Sequence, residues 1–243
     1  MMYERDLVRE LDRFSRESGP LRMDADYLET LSGLLTEDSV VLDAGCGHEG
    51  IFSRSELNSR ARRKTVIGVD SGADRNPYMD EQHVADLAAL PFPDNTFDII
   101  VSEWVAEHVA EPVKVFAEFS RVLRDGGHVV LLTPNRNNPL VWLGGAIPSA
   151  FKDWLLRSML KKDDRDLFPV YLRMNTPAAI HRHAKTAGFD ELFLKTYPNP
   201  EYFMWNSRLL QLVLRLEQRM IAWQWPRRFN MYILAAYSKP LGK

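Results

Sequence analysis

The stretch VVLDAGCGHEG, residues 40–50, decides how the rest of the chain is read. Val40, Val41 and Leu42 form an apolar run of the kind found in parallel strands buried on both faces. Asp43 ends the run, and a glycine-rich turn follows at Gly45, Gly47 and Gly50. Glycines let a backbone turn tightly and let a ligand lie against it. Strand, acid and glycine turn in that order predict a nucleotide-binding loop at the C-terminal end of a parallel strand. The acid points to a ligand with positive charge.

S-adenosylmethionine, with its ammonium and sulfonium, meets that requirement. The turn also spells G-x-G-x-x-G, with Asp70 twenty residues beyond Gly50, which is the dinucleotide fingerprint. Read alone, the turn fits a nicotinamide dehydrogenase equally well, and a structural turn without a ligand is the plainer reading.

The 243 residues are 45% hydrophobic, enough for one sizeable core in a single α/β domain. A net charge of −2 gives no overall basic field for nucleic acid. One cysteine, Cys46, rules out an intramolecular disulfide framework and a cysteine-based metal cluster. The start, MMYERDLVRELDRF, is charged and has no secretory apolar core, so a cytoplasmic location is expected. No apolar run approaches the ~20 residues of a membrane-spanning helix.

Outward from the turn, strands alternate with helices. Helical periodicity covers 3–17 and 24–35, with Gly19-Pro20 as a break between them. Strands are predicted at Val40–Asp43, Thr65–Asp70, Gln82–Ala85, Phe97–Ser102, His128–Thr133, Glu191–Tyr197 and Asn230–Tyr237. Helices are predicted at Val113–Leu123, stopped by Gly126-Gly127, and later at Thr176–Ala187 and Asn206–Trp223. This alternation predicts a doubly wound, Rossmann-like parallel sheet with helices on both faces and its ligand at the strand C-termini. The chain reads as one domain. It comprises N-terminal helices (1–36), a cofactor-binding half (38–135), an insert or lid on the substrate side (136–175) and C-terminal helices and strands (176–243).

The stretch VADLAALPFPDNTFDIIVSEWVAEHV, residues 84–109, discriminates between the nucleotide readings. With VLDAGCGHEG, GVD and RVLRDGGHVVLLTPN in order around it, the chain resembles the class I S-adenosylmethionine-dependent methyltransferases, in particular the type 11 group. The resemblance covers roughly 38–135. It implies a seven-stranded sheet with an antiparallel last strand, and S-adenosylmethionine as cofactor. One departure is that His48-Glu49 puts two residues between Gly47 and Gly50, where many members have one.

The resemblance implies a role for each matching position. Asp43 lies near the ammonium, while Gly45, Cys46 and Gly47 run the backbone beneath the methionine part. Asp70 takes the ribose hydroxyls, with Ser71 beside it. Asp86 accepts from the adenine amino group, and the Leu87 N–H meets a ring nitrogen. Ser102 and Glu103 leave the fourth strand beside the methyl donor. Asp86 also reads as a turn or helix-cap aspartate. His108 follows the fourth strand, where it is placed to accept a proton from a hydroxyl or amine, or to anchor its turn by hydrogen bonds. His181 and His183 lie two apart on a helix, share no face and read as surface residues. No metal is expected, since no cluster has ligand spacing.

The acceptor is expected to be a small molecule, a sugar or a lipid precursor, methylated at O or N. Residues Trp142, Phe151, Trp154 and Phe168 would give the insert an aromatic lining, and Arg157, Lys161 and Lys162 would add charge. An uncharged Trp-containing stretch followed by the basic Lys152–Lys162 is also the makeup of a membrane-surface segment. A lid over a soluble substrate is the favoured account of 137–165. Two rivals stand beside the methyltransferase: a nicotinamide-dependent oxidoreductase, and a non-catalytic S-adenosylmethionine-binding or scaffold protein. LPFPDNTFDIIVS argues against the first. The set Asp43, Gly45, Gly47, Asp70 and Asp86 argues against the second.

Overall fold

The computed structural model describes residues 20–48, 51–53, 57, 65–70, 72, 76–139, 141, 169–198 and 227–242. Outside them lie the helix expected at 3–17, Ser71, the helix expected at Asn206–Trp223, and the insert residues Trp142, Phe151, Trp154, Arg157, Lys161, Lys162 and Phe168.

Seven strands form one sheet: β1 (Val40–Ala44), β2 (Thr65–Asp70), β3 (Glu81–Val84), β4 (Phe97–Glu103), β5 (Leu123–Pro134), β6 (Asp190–Tyr197) and β7 (Tyr232–Ser238). Their order is β3-β2-β1-β4-β5-β7-β6. The pairs of β1 with β2, β1 with β4, β2 with β3 and β4 with β5 are parallel. Only β7 runs against its neighbours, β5 and β6. The chain leaves β1 toward one edge and returns to β4 on its other side. That reversal opens a crevice above the C-terminal ends of β1 and β4.

Strand residues alternate between two cores. Val41, Ile99, Val101, Val130 and Leu132 face α1 (Pro20–Leu34), which presents Met23, Tyr27 and Leu31 at helical spacing. Leu42, Ala44, Ile100, Val129 and Leu131 face α2 (Pro112–Val122) and α3 (Pro177–Thr186) through Phe116, Phe119, Ile180 and Ala184. Burial on both faces is why these strands read as nearly unbroken apolar runs. Among the described residues, no helix is long and apolar enough to cross a membrane.

Two local expectations are corrected. The helix expected from 24 starts four residues earlier, because α1 begins at Pro20 itself. Proline has no N–H to lose in a first turn and its φ is preset for helix. Gly126-Gly127 do not stop α2. That helix ends at Val122, and Leu123 turns extended (φ −80°, ψ 137°) to begin β5 opposite Phe97. The glycines serve the strand: Gly126 has φ +79°, and a Cβ on Gly127 would sit 2.9 Å from the Asp98 carbonyl.

Candidate active site

A cavity of about 680 Å³ lies above the strand C-termini, within the usual size for small-ligand sites. One half is lined by Gly45, Gly47, Asp70 and the run Val84–Ala88. The other is lined by Trp104, Val105, His108–Glu111, Val115, Pro169 and Tyr171. Of the residues predicted from sequence, Gly45, Gly47, Asp70, Asp86, Leu87 and His108 therefore meet at one cavity. Asp43, Cys46 and Ser102 are buried and, like Glu103, do not line it.

The glycine turn is fixed from below. Gly45 and Cys46 donate their N–H groups to the Val69 carbonyl at 2.7 and 3.3 Å. Asn76 Nδ2, buried, donates to the Cys46 carbonyl at 2.9 Å. Gly45 has φ +94°, and a Cβ there would come 2.1 Å from Val105 Cγ2, so the turn packs against the segment after β4. Gly47 has φ +50° and open space where a Cβ would stand.

Asp70 ties this turn to β2. Its Oδ2 accepts from the Gly47 N–H at 3.0 Å and its Oδ1 from the Gly72 N–H at 2.9 Å. A carboxylate offers about four lone-pair sites, so each oxygen can accept a further hydroxyl. Asp86 Oδ1 accepts from the Ala88 N–H at 2.8 Å. The turn-cap reading of Asp86 thus holds, and the same residue lines the cavity.

Under the turn the charges conflict. Asp43 is pushed up to about 8 by burial, and further by the nearby Glu103 and Asp70 carboxylates. Among the described residues its Oδ2 has no hydrogen-bond partner. A buried acid without a counter-charge is costly, and a cationic ligand over the turn would relieve it. The ammonium and sulfonium of S-adenosylmethionine fit this test. Burial, followed by Asp43 and Asp70, pushes the Cys46 thiol up to about 12, so it is a packed side chain and not a nucleophile.

Beyond β4, Trp104 takes φ +57°, uncommon for a bulky residue, and its ring meets Tyr232 edge-on at 5.0 Å. His108 closes a 3₁₀ turn, Ala106–His108, and its Nδ1 lies 2.7 Å from the Pro169 carbonyl oxygen. A carbonyl only accepts, so Nδ1 carries the proton and Nε2 of the neutral ring is the acceptor. His181 is exposed and meets Glu191 Oε2 at 2.7 Å. His183 departs from the surface reading, because it is half-buried and stacks on Phe116. Among the described residues, no cluster of His, Cys, Asp or Glu could hold a metal ion.

Three residues beside the site were not anticipated. Glu107 is buried, and burial raises its carboxyl above the usual range despite its own backbone N–H, His108 and the Thr133 hydroxyl, which oppose the shift. Thr133 Oγ1 donates to Glu107 Oε2 at 3.1 Å and receives Asn175 Nδ2 at 2.6 Å. The three positions lie far apart in sequence. The only local signal was the unusual placing of a glutamate and a threonine at the ends of apolar segments.

Comparison with known proteins agrees with this geometry. A family profile described as "Methyltransferase domain" matches residues 42–131. A Mycolicibacterium smegmatis protein named "Probable S-adenosylmethionine-dependent methyltransferase" is 40% identical over 103 residues, 40% of this chain and 38% of that protein. The chain thus spans under two fifths of that relative's length. The ubiquinone biosynthesis O-methyltransferase of Nitrosomonas europaea is 27% identical over 186 residues, 72% of each chain. Among solved structures, a geranyl diphosphate methyltransferase in complex with S-adenosylmethionine superposes with a TM-score of 0.57 at 18% identity, covering 98% of this chain and 90% of that one. That likeness is one of fold. Residues 42–131, which hold most of the glycine turn, thus match a methyltransferase-domain profile, and the seven-stranded sheet is similar in fold to solved S-adenosylmethionine-dependent methyltransferases.

Proposed function

We propose that the chain transfers a methyl group from S-adenosylmethionine to a hydroxyl oxygen of a small, largely apolar acceptor. One observation carries this reading. A single cavity holds the glycine turn with Asp70 and Asp86 in one half, and in the other a histidine whose Nδ1 is committed to a carbonyl. Two curated relatives, from Nitrosomonas europaea and Yersinia pestis, are named as O-methyltransferases, which supports oxygen as the acceptor atom.

Bound S-adenosylmethionine supplies a methyl already activated on a sulfonium. The protein's work is then alignment, exclusion of water and removal of one proton. Asp70 binds the ribose hydroxyls, Asp86 accepts from the adenine amino group, and the Leu87 N–H meets a ring nitrogen. Gly45, Cys46 and Gly47 bring the backbone close beneath the methionine part, and Asp43 balances its positive charge. Trp104, Val109 and Tyr171, which line the cavity, hold the acceptor's apolar body. His108 Nε2 takes the hydroxyl proton as the oxygen attacks.

Calorimetric titration with S-adenosylmethionine, its demethylated product and NAD tests the cofactor. The first two are expected to bind. Binding of NAD without response to S-adenosylmethionine would overturn the reading. Labelled donor with host extracts then identifies the acceptor, and label arriving only on nitrogen or carbon would overturn the choice of oxygen.

A further inference from the structure

The segment Pro169–Asn175, the last part of the 136–175 stretch, is fastened to the turn that bears His108 at four places. Pro169 O receives His108 Nδ1 at 2.7 Å. The Tyr171 and Leu172 N–H groups both donate to the Glu107 carbonyl, at 2.8 and 3.1 Å. Arg173 Nη1 donates to the Ala110 carbonyl at 2.6 Å. The fourth fastening is the buried side-chain relay of Asn175, Thr133 and Glu107. An amide nitrogen only donates, so Asn175 Nδ2 donates to Thr133 Oγ1, and the Thr133 hydroxyl donates in turn to Glu107 Oε2. Asn175 Nδ2 also reaches the Pro134 carbonyl at 3.3 Å, which only the amino end of the side chain can serve. Thr133 and Asn175 are fully buried.

Such a relay is costly to leave half-made, and here it joins three elements: the end of β5, the 3₁₀ turn and the returning segment. Leu172 sits at φ +51°, a left-handed conformation unusual for leucine that the surrounding bonds must hold in place. The position of the Pro169 carbonyl therefore depends on anchors several residues away. That carbonyl in turn selects which imidazole nitrogen of His108 accepts protons.

We propose that Thr133 and Asn175 are positioning residues: through Glu107 and the returning segment they hold the Pro169 carbonyl under His108 Nδ1 and keep Nε2 the proton acceptor toward the cavity. This rests on the reading of His108 as the base. Its test does not depend on methyl transfer.

Histidine-selective ¹⁵N labelling and two-bond ¹H–¹⁵N correlation, at about pH 8.5 where an ordinary imidazole is neutral, report the tautomer of each ring. His108→Gln identifies the His108 signals. In the parent protein the Nδ1–H pattern is expected for His108. In Thr133→Val, which keeps the shape and removes the hydroxyl, that single pattern is expected to be lost, while affinity for the demethylated product stays within about twofold. Thr133→Ser is expected to restore it. If the valine variant does not fold, Asn175→Ala decides by the same readout. A parent-like His108 tautomer in a folded Thr133→Val or Asn175→Ala protein would overturn the proposal, as would an Nε2–H tautomer in the parent. Unchanged turnover in His108→Gln would overturn the base while leaving the tautomer result standing, so the two failures are distinguishable.

Discussion

Asp43 offers a quantitative test of the charge conflict beneath the glycine turn. Burial, then Glu103 and Asp70, hold its carboxyl at about 8. At pH 7, roughly nine in ten ligand-free molecules therefore keep this proton. A bound ammonium and sulfonium favour the carboxylate instead, so binding of S-adenosylmethionine expels the proton. If the bound carboxyl titrates well below about pH 6, affinity follows the ionised fraction of the free protein. It then rises about tenfold per pH unit and levels above about pH 8. From about pH 6 to about pH 8 the gain is roughly fiftyfold, or about 2.3 kcal/mol. Calorimetry in two buffers of different ionisation heat counts the protons: close to one released at about pH 6, about half of one at about pH 8. Asp43→Asn is expected to abolish the slope. The same group sets a stability trend of definite sign. Its unfolded value is 3.8 and its folded value about 8. Between these the native state holds a proton that the unfolded chain has lost, so this contribution falls as pH rises from about 4 to about 8. Asp43→Asn should therefore melt above the parent at about pH 8 while binding donor less well. Flat affinity between about pH 6 and 8, with no proton release, would refute the reasoning.

Three further outcomes are expected. Asp70→Ala leaves the Gly47 and Gly72 N–H groups without their acceptor and removes the proposed partner of the ribose hydroxyls, so calorimetry should show a loss of about 1–3 kcal/mol in donor binding; unchanged affinity in a folded variant would exclude Asp70 from the site. His108→Ala should lower turnover by roughly 10²–10⁴-fold with donor affinity nearly intact, whereas joint loss of stability and donor binding would make His108 an anchor only. Gly45→Ala puts a methyl 2.1 Å from Val105 Cγ2 at φ +94° and should cost on the order of 1–3 kcal/mol in a denaturant melt; a melt like the parent's would show that the turn is not packed against Val105.

The strands were legible because burial on both faces leaves little choice of residue: FDIIVS and HVVLLT both appear where the apolar runs stand. The errors fell where pairing overrides local preference. Gly126-Gly127 looks like a helix stop, yet the demand of Phe97 for a partner extends β5 back to Leu123, and the glycines accommodate a close approach inside the strand. Pro20 does mark a boundary, but as the first residue of α1 and not a linker before it, since its missing N–H costs nothing in a first turn.

The site divides in the same way. Gly45, Gly47, Asp70 and Asp86 follow strand ends directly, and any right-handed β-α-β winding brings strand ends together. Their meeting was therefore implied by order alone. Two other features have no such local origin. Asp43 is marked by its place as an acid, but the conflict that lifts it to about 8 needs Glu103 from β4 and Asp70 from β2 to close around it. Parallel pairing of β1 with both strands supplies that closeness. The Glu107–Thr133–Asn175 relay joins residues that lie 26 and 42 positions apart. It exists only because β4 pairs with β5 and the chain returns from the insert across the 3₁₀ turn. Sequence order thus foretells where a cofactor lies in this fold, whereas the protonation state of its acid and the tautomer of its histidine are set by contacts between elements.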